Sequence, residues 1–181
     1  MLSGRFQNSP AGWTQGDYNN DNNHSLVIRV QYGKASFLFT GDLETAGDHT
    51  LANYYGNHGA LDVDVWKVSH HGAINGTSLP WLQAVTPRYA VICCGQWNFG
   101  QAPPITFSTF AYGHPRIGTL DALQQIIPGN RPQSLVVAAA SAAKTFSRYN
   151  VTKNIYATAW DGNVRIKATS DGQYTVVTHD Q

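Results

Sequence analysis

Residues 36–44 read Ser-Phe-Leu-Phe-Thr-Gly-Asp-Leu-Glu, an apolar run that ends in a glycine followed by an aspartate, Asp42. Gly41 lets the backbone turn sharply where the run ends, and residues 43–55 continue with a helical pattern. Asp42 is therefore expected at the edge of a sheet, between a strand and a helix. A carboxylate fixed there is placed to bind a cation or to orient a catalytic group, or alternatively to cap the helix that follows.

The apolar run has a partner just upstream. Residues 25–30 and 35–39 are both predicted strands, and Tyr-Gly-Lys at 32–34 is typical of a hairpin turn between them. Side chains that are β-branched or aromatic recur along both strands at the spacing of a buried pair: Ile28, Val30, Phe37 and Phe39.

A second stretch repeats this arrangement. Residues 64–69, Asp-Val-Trp-Lys-Val-Ser, have strand character and run directly into His70-His71-Gly72. Two strand ends, one with a carboxylate and one with two imidazoles, together favour a metal site. The sequence therefore predicts that Asp42, His70 and His71 are metal ligands.

The remaining elements follow from the same signals. Residues 1–24 are polar and rich in asparagine, which predicts a loop segment ahead of one domain over 25–181. Residues 135–146 are rich in alanine and fit helix or strand, with a strand followed by a loop preferred. The other predicted elements, in chain order, are a helix over 78–85, a strand over 89–94, a long loop over 95–114, a helix over 116–127, and three short strands over 155–158, 164–168 and 174–178 with hairpin turns at 161–163 and 171–172.

Composition narrows the classes of function. The chain has 181 residues, 42% of them hydrophobic, which is enough for one domain with a buried core. The net charge is +1, only 13% of residues are charged, and no basic block predicts a groove for a nucleic-acid backbone. This argues against a tight DNA-binding role but leaves nucleic acid open as a substrate.

The cysteines and the apolar runs carry no disulfide or targeting signal. Cys93 and Cys94 are adjacent within a strand-like pattern, which predicts core packing rather than a disulfide framework. No apolar signal-peptide region starts the chain, and no run reaches membrane-spanning length. We therefore expect no membrane segment in this chain, and the cytoplasm as the default compartment.

Four motifs occur in an order known from one family. They are Asn-Asn-His-Ser-Leu-Val-Ile-Arg at 22–29, Ser-Phe-Leu-Phe-Thr-Gly-Asp at 36–42, Asp-Val-Trp-Lys-Val-Ser-His-His-Gly at 64–72 and Tyr-Gly-His-Pro at 112–115. In this order they make the chain resemble the C-terminal half of the metallo-β-lactamase fold, in the version found in ComEC-type DNA-internalisation competence proteins and their soluble relatives. The resemblance implies an α/β (α+β) fold, here half of an αβ/βα sandwich or an incomplete one, with a mixed or antiparallel sheet and flanking helices.

The resemblance also implies a hydrolytic site that binds two zinc or manganese ions at one edge of the sandwich. Asp42 matches the aspartate that bridges the two metals, and His70 or His71 matches the last histidine ligand. The other histidine of the pair would orient substrate or support the ligand, and His71 is therefore also a catalytic candidate.

His114 matches a further family histidine on the substrate side and is the second catalytic candidate; alternatively, it is a loop histidine packed beside Pro115. The other histidines are expected in solvent: His24, His49, His58 and His179.

One family motif is missing from this sequence. His-x-His-x-Asp-His supplies most ligands of the first metal in the family, and no two histidines here are spaced that way. Two functions are therefore considered: a metal-dependent hydrolase acting on a phosphodiester, nucleic acid included, or a binding or scaffold domain that keeps the fold without the chemistry. Half a sandwich would expose an apolar sheet face, so a homodimer or a partner chain that carries the N-terminal half is expected.

Overall fold

The computed structural model describes residues 6–95 and 108–179. The strands in those segments are β1 (Ile28–Tyr32), β2 (Ala35–Phe39), β3 (Val65–Lys67), β4 (Tyr89–Ile92), β5 (Asn130–Ala142), β6 (Thr145–Lys153), β7 (Ile155–Ala157), β8 (Asn163–Ala168) and β9 (Tyr174–His179). The helices are α1 (Gln15–Asn19), α2 (Thr45–Tyr55), α3 (Leu79–Val85), α4 (Thr109–Tyr112), α5 (Ile117–Ile126) and α6 (Thr158–Asp161). Within the described segments, none of these helices is long and apolar enough to cross a membrane.

Five strands form one mixed sheet in the order β1-β2-β3-β4-β7. β1 and β2 are antiparallel and are joined by the predicted turn, in which Gly33 has φ +58°. β2, β3, β4 and β7 are parallel, and helices α2 and α3 connect the first three of them. Because parallel strands end at the same edge of a sheet, the segments after β2, β3 and β4 meet there. The mixed sheet with flanking helices confirms the expected fold class.

One face of this sheet is closed by helices. Leu38, Trp66 and Ala90 lie in register across β2, β3 and β4, and all three are fully buried. Trp66 also donates a hydrogen bond from Nε1 to Thr40 Oγ1 (3.1 Å). Helices α2, α3 and α5 fill the same core with apolar side chains: Leu51, Trp81, Leu82, Val85, Leu120 and Leu123. Burial of side chains of this size is the main favourable contribution to folding.

The other face of the sheet is covered over only part of its area. The β8–β9 ribbon lies across one end, where the Tyr174 ring contacts Phe37 and Tyr89 and its hydroxyl accepts from the Ser36 backbone N–H (2.9 Å). Along β1 and the end of β2, four large side chains are between 37% and 56% exposed: Ile28, Val30, Tyr32 and Phe39. The strands are confirmed, but the predicted burial of Ile28, Val30 and Phe39 is wrong, because no second layer covers them within the described residues.

The alanine-rich segment forms a long hairpin rather than a strand and a loop. β5 and β6 pair antiparallel, from Leu135 opposite Val151 to Ala142 opposite Thr145. The predicted loop is wrong because the turn uses Lys144 at φ +59°. Such turns are usually marked in sequence by glycine or asparagine, and neither is present here.

The C-terminal strands divide between two sheets. β7 joins the main sheet beside β4, and α6 follows it, so the hairpin turn predicted at 161–163 is wrong. The physical reason is that Asp161 points inward, where its carboxylate accepts from Arg131 Nη2 (2.5 Å) and from the Ala157 backbone N–H (3.0 Å). β8 and β9 pair with each other, and the turn predicted at 171–172 is confirmed, with Gly172 at φ +87°.

The N-terminal segment contains more secondary structure than the predicted loop. It holds α1 and a 3-10 turn, Asp21–His24. The prediction that His24 lies in solvent is wrong: it is 8% exposed, and its Nε2 lies 2.7 Å from the Tyr18 carbonyl oxygen. Three aromatic rings surround it at centroid distances of 5.3 to 5.8 Å: Phe6, Trp13 and Tyr18.

Of the other histidines predicted in solvent, His49 and His58 are exposed, and the side chain of His179 lies outside the described part of the structure.

Candidate functional site

Asp42 lies directly after β2, at the edge where the parallel strands end. The preceding Gly41 has φ +55°, and the Asp42 backbone N–H donates to Ser25 Oγ (3.1 Å). Helix α2 has Glu44 as its N-cap, so the alternative in which Asp42 caps this helix is wrong. The Asp42 side chain is 41% exposed and faces the segment that follows β3.

His70 and His71 follow β3 in a 3-10 turn, Ser69–Gly72. Both have a left-handed backbone, with φ +46° and +53°, which is uncommon for residues other than glycine. The His70 N–H donates to the Gly41 carbonyl (3.1 Å), so the turn is tied to the end of β2. The two rings diverge, with centroids 6.3 Å apart, and each contacts a different carboxylate.

His71 is the histidine that lies beside Asp42. Its Nε2 is 3.6 Å from Asp42 Oδ1, and its Nδ1 is 2.5 Å from the Cys93 carbonyl oxygen at the end of β4. A carbonyl oxygen can only accept, so Nδ1 carries the hydrogen, and Nε2 of the neutral ring presents a lone pair. Nε2 and Oδ1 then face each other as two acceptors, an arrangement that favours a cation or a proton between them.

The two cysteines take part through packing and backbone. Both thiols are free, and Cys94 is 7% exposed. Burial raises the pKa of the Cys94 thiol to about 12, so it stays protonated. The predicted core packing is therefore confirmed for Cys94, whereas Cys93 is only half-buried. The carbonyl of Cys93 is a contact that sequence reasoning missed.

His70 lies beside a different carboxylate, Glu44. Its Nδ1 is buried and 3.3 Å from Glu44 Oε1, although off the direction of a hydrogen bond. The two Glu44 oxygens accept from the side-chain amides of Asn20 (2.9 Å) and Asn22 (2.8 Å). Sequence reasoning missed Glu44; its position two residues after Asp42 was the available signal.

His114 completes the cluster of histidines. It follows α4, so the predicted loop over 95–114 is wrong at 109–112, where Gly113 at φ +74° ends a short helix. Residues 96–107 of that predicted loop lie outside the described residues. Its ring is 5.3 Å from that of His70 and stacks on Tyr112 at 6.2 Å. Burial, together with the neighbouring His70, Arg116 and His71, lowers the pKa of His114 to about 4, so the ring is neutral at pH 7.

The donor groups present fit part of a metal site. Zinc sites in proteins use three or four protein ligands. Among the described residues, no three His, Cys, Asp or Glu side chains are grouped closely enough to hold an ion. The Asp42–His71 pair offers two donors of the right chemistry, and His70 with Glu44 forms a separate pair beside it.

Comparison with known proteins identifies the family of this chain. The model of the metallo-beta-lactamase superfamily matches residues 1–96. The chain is 40% identical over 95 residues to Competence protein ComA of Neisseria gonorrhoeae, covering 52% of this chain and 12% of that protein. It is 34% identical over 104 residues to ComE operon protein 3 of Bacillus subtilis (58% and 12%) and 42% identical over 78 residues to Recombination protein 2 of Haemophilus influenzae (43% and 9%). The chain thus spans about a tenth of the length of these curated relatives. It belongs to the metallo-beta-lactamase superfamily and is consistent with the ComEC-type branch of that superfamily.

Proposed function

We propose that this chain contributes ligands to the metal centre of a hydrolase that cleaves phosphodiesters. The observation that carries the proposal is the Asp42–His71 pair, two acceptor atoms 3.6 Å apart. Zinc binds nitrogen and oxygen ligands at about 2.0–2.2 Å, which sets two tetrahedral ligands roughly 3.4 Å apart. Members of this superfamily usually bind metal, which supports zinc or manganese as the ion.

In this proposal Asp42 and Nε2 of His71 hold the ion. The Cys93 carbonyl keeps the hydrogen of His71 on Nδ1 and thereby leaves Nε2 available, a common role for the groups behind a ligating histidine. A bound divalent ion would acidify water toward neutral pH and polarise a phosphoryl oxygen. The exposed side of Asp42 leaves room for substrate next to the pair.

His70 and His114 are assigned to the substrate side. His70 is held against Glu44 rather than Asp42, so we assign the ligand role to His71 and not to His70. His114 is neutral at pH 7 because its pKa is lowered to about 4. A neutral imidazole can accept a proton from one substrate atom or donate a hydrogen bond to another, as general acid–base catalysis requires.

The remaining ligands of a complete centre must come from another segment. Asp42 and His71 supply two donors, and His-x-His-x-Asp-His is absent from the 181 residues. We propose that an N-terminal half of the fold, carried by a partner chain or by a longer protein, supplies them. That half would also cover the open face of the sheet.

Metal content tests the assignment of the ligands. The chain is incubated with zinc or manganese and dialysed, and bound metal is measured by mass spectrometry. We expect substoichiometric metal in the wild type and loss in Asp42→Asn and His71→Ala. Asp62→Asn is the matched control, because it removes the same charge at an exposed position before β3. Equal metal content in wild type and Asp42→Asn would overturn the assignment.

Hydrolysis tests the need for the second half. We expect the chain alone to turn over little bis-p-nitrophenyl phosphate or single-stranded DNA. Addition of a segment with the His-x-His-x-Asp-His motif should raise the rate by several orders of magnitude, because positioning and a second charge each contribute several kcal/mol. Robust turnover by the pure chain, abolished by His71→Ala, would show that the complete site lies within these 181 residues.

One observation favours a second candidate, a binding or scaffold domain without chemistry. The described residues hold no group of three metal-binding side chains. Under this alternative the wild type retains no metal after dialysis, and Asp42→Asn changes neither metal content nor hydrolysis in the presence of the second half. The two experiments above therefore separate the candidates.

A further inference from the structure

An open cavity of about 570 Å³ lies beside the Asp42–His71 pair. It shares His70 with the site, and the rings of His70 and His71 are 6.3 Å apart. None of the described residues that line the cavity is acidic. Its polar lining consists of two imidazoles, two amides, a phenol and a guanidinium: His70, His114, Asn22, Asn75, Tyr112 and Arg116.

Arg116 is anchored by backbone carbonyls, and no carboxylate among the described residues pairs with it. Nη1 donates to the Ser141 carbonyl (3.3 Å) and Nη2 to the Tyr112 carbonyl (3.1 Å). Two neutral carbonyls fix the plane of the guanidinium without compensating its charge. The Nε atom is buried and has no hydrogen-bond partner among the described residues. Within the described residues Arg116 belongs to none of the ion pairs. A preoriented, unpaired guanidinium at a cavity is suited to bind phosphate oxygens.

Tyr112 adds an aromatic surface next to this charge. Its ring is 50% exposed and stacks on His114, with 13° between the planes. The backbone carbonyl of the same residue binds Arg116, so the ring and the guanidinium belong to one local unit. Aromatic rings beside a positive charge are the elements that hold a single nucleic-acid strand, through base stacking and phosphate contact.

We propose that this cavity binds one phosphate of a single nucleic-acid strand on Arg116, with the neighbouring base against Tyr112. The inference rests on the proposed function, because it places this phosphate next to the one that reacts at Asp42 and His71. It assigns substrate positioning to two residues outside the metal-binding pair. The scissile phosphate and the bound phosphate then belong to the same strand.

The test is binding without metal. The ¹⁵N-labelled chain in EDTA is titrated with inorganic phosphate and, separately, with the tetranucleotide dT4, and chemical shifts are followed by NMR. We expect both probes to shift the signals of His70, His114 and Arg116, with dT4 binding more tightly than phosphate. If the signals of these three residues do not move with either probe, the proposal is overturned.

Three variants locate the contacts. Arg116→Gln should lower the affinity for both probes about tenfold or more, since one charge-assisted contact is lost. Arg165→Gln is the matched control: it removes the same charge from an exposed position on β8 and should leave both affinities unchanged. Tyr112→Leu should lower the affinity for dT4 and leave the affinity for inorganic phosphate unchanged. If both affinities fall equally, or if neither changes, the assignment of the cavity to a nucleic-acid strand is overturned.

A second variant, which removes no hydrogen bond, tests the cavity even if Arg116→Gln fails to fold. Ile74 lines the cavity and is 57% exposed, so Ile74→Glu adds a carboxylate there without removing a polar contact. It should abolish binding of both probes while the dispersion of the spectrum is preserved. Unchanged affinity in a folded Ile74→Glu protein would overturn the proposal.

The metal-free design separates this inference from the proposed function. Asp42→Asn should keep its dT4 affinity in EDTA while it loses metal. Metal binding that depends on Asp42, without phosphate binding that depends on Arg116, overturns the inference alone. Phosphate binding that depends on Arg116, without metal binding, supports the cavity and overturns the proposed function.

Discussion

The two faces of the five-stranded sheet carry similar apolar side chains but meet different surroundings. Leu38 is fully buried under the helices, whereas its neighbour Phe39, on the opposite face of the same strand, is 45% exposed. On the closed face, Leu38 lies in register with Trp66 on β3 and Ala90 on β4. The difference shows that apolar alternation determines where a strand forms, whereas burial of a face depends on whether a second layer covers it.

The largest expected difference between the faces is in stability. Leu38→Ala should lower the free energy of unfolding by about 2–5 kcal/mol, because it leaves a cavity in a packed core. Phe39→Ala should lower it by less than about 1 kcal/mol, since that side chain is already half in water. Urea denaturation measures both. Equal losses would mean that a second layer covers Phe39 in solution.

A buried carboxylate beneath the helices makes the stability of the closed face depend on pH. Asp48 lies in the first turn of α2, and its fully buried side chain packs against the start of α3, where Oδ1 accepts from Ser78 Oγ (3.0 Å). Burial raises the pKa of Asp48 from its ordinary 3.8 to about 6, although Ser78 opposes the shift.

Because the folded pKa of Asp48 exceeds the unfolded one, its contribution to stability is full below about pH 4 and is lost as the pH rises through 6. The loss should approach about 3 kcal/mol. Asp48→Asn is uncharged throughout, so the difference in unfolding free energy between this variant and wild type, measured from pH 4 to 7, isolates the effect. A constant difference across that range would contradict the prediction.

The smallest expected change in stability tests what covers the open face. Val30 is 44% exposed on β1, and we propose that this face joins a second copy of the chain or the missing half of the sandwich. Val30→Lys should change the unfolding free energy of the monomer by less than about 0.5 kcal/mol. It should nevertheless abolish association and reduce the binding of an apolar dye, as followed by light scattering and fluorescence.

Leu79→Lys is the control for this substitution. Leu79 is 64% exposed, but it lies at the start of α3, on the helical side of the molecule. The same chemical change there should leave association intact. A wild-type chain that is a stable monomer and binds no dye would count against the proposed interface.

Elements with a local signal were predictable from the sequence. The β1–β2 hairpin follows from alternating apolar residues around Gly33, and the turn at Gly172 follows from an Asp-Gly pair. The placement of Asp42 beside His71 follows from motifs at the ends of parallel strands, which meet at one edge.

Features that depend on distant contacts were not predictable. His24 looks like a solvated loop residue in the sequence, but the rings of Phe6, Trp13 and Tyr18, 6 to 18 positions away, surround it. The proposed choice of His71 over His70 as the metal ligand also rests on distant contacts. The two residues are adjacent and identical in the sequence, and His71 differs in its contact with the Cys93 carbonyl, which directly follows β4, and in its position beside Asp42.

The left-handed turn that carries the two histidines affects how this chain can evolve. His70, His71 and Gly72 are three successive residues with positive φ, and this conformation is without strain only for the glycine. Each histidine costs about 1–2 kcal/mol relative to a residue that accepts the conformation freely. In a lineage without selection on this site, replacement of either histidine by glycine would relieve that strain, so random drift would tend to remove them. Their presence in a strained turn therefore supports the proposed function, in which selection for function would oppose selection for stability at this site.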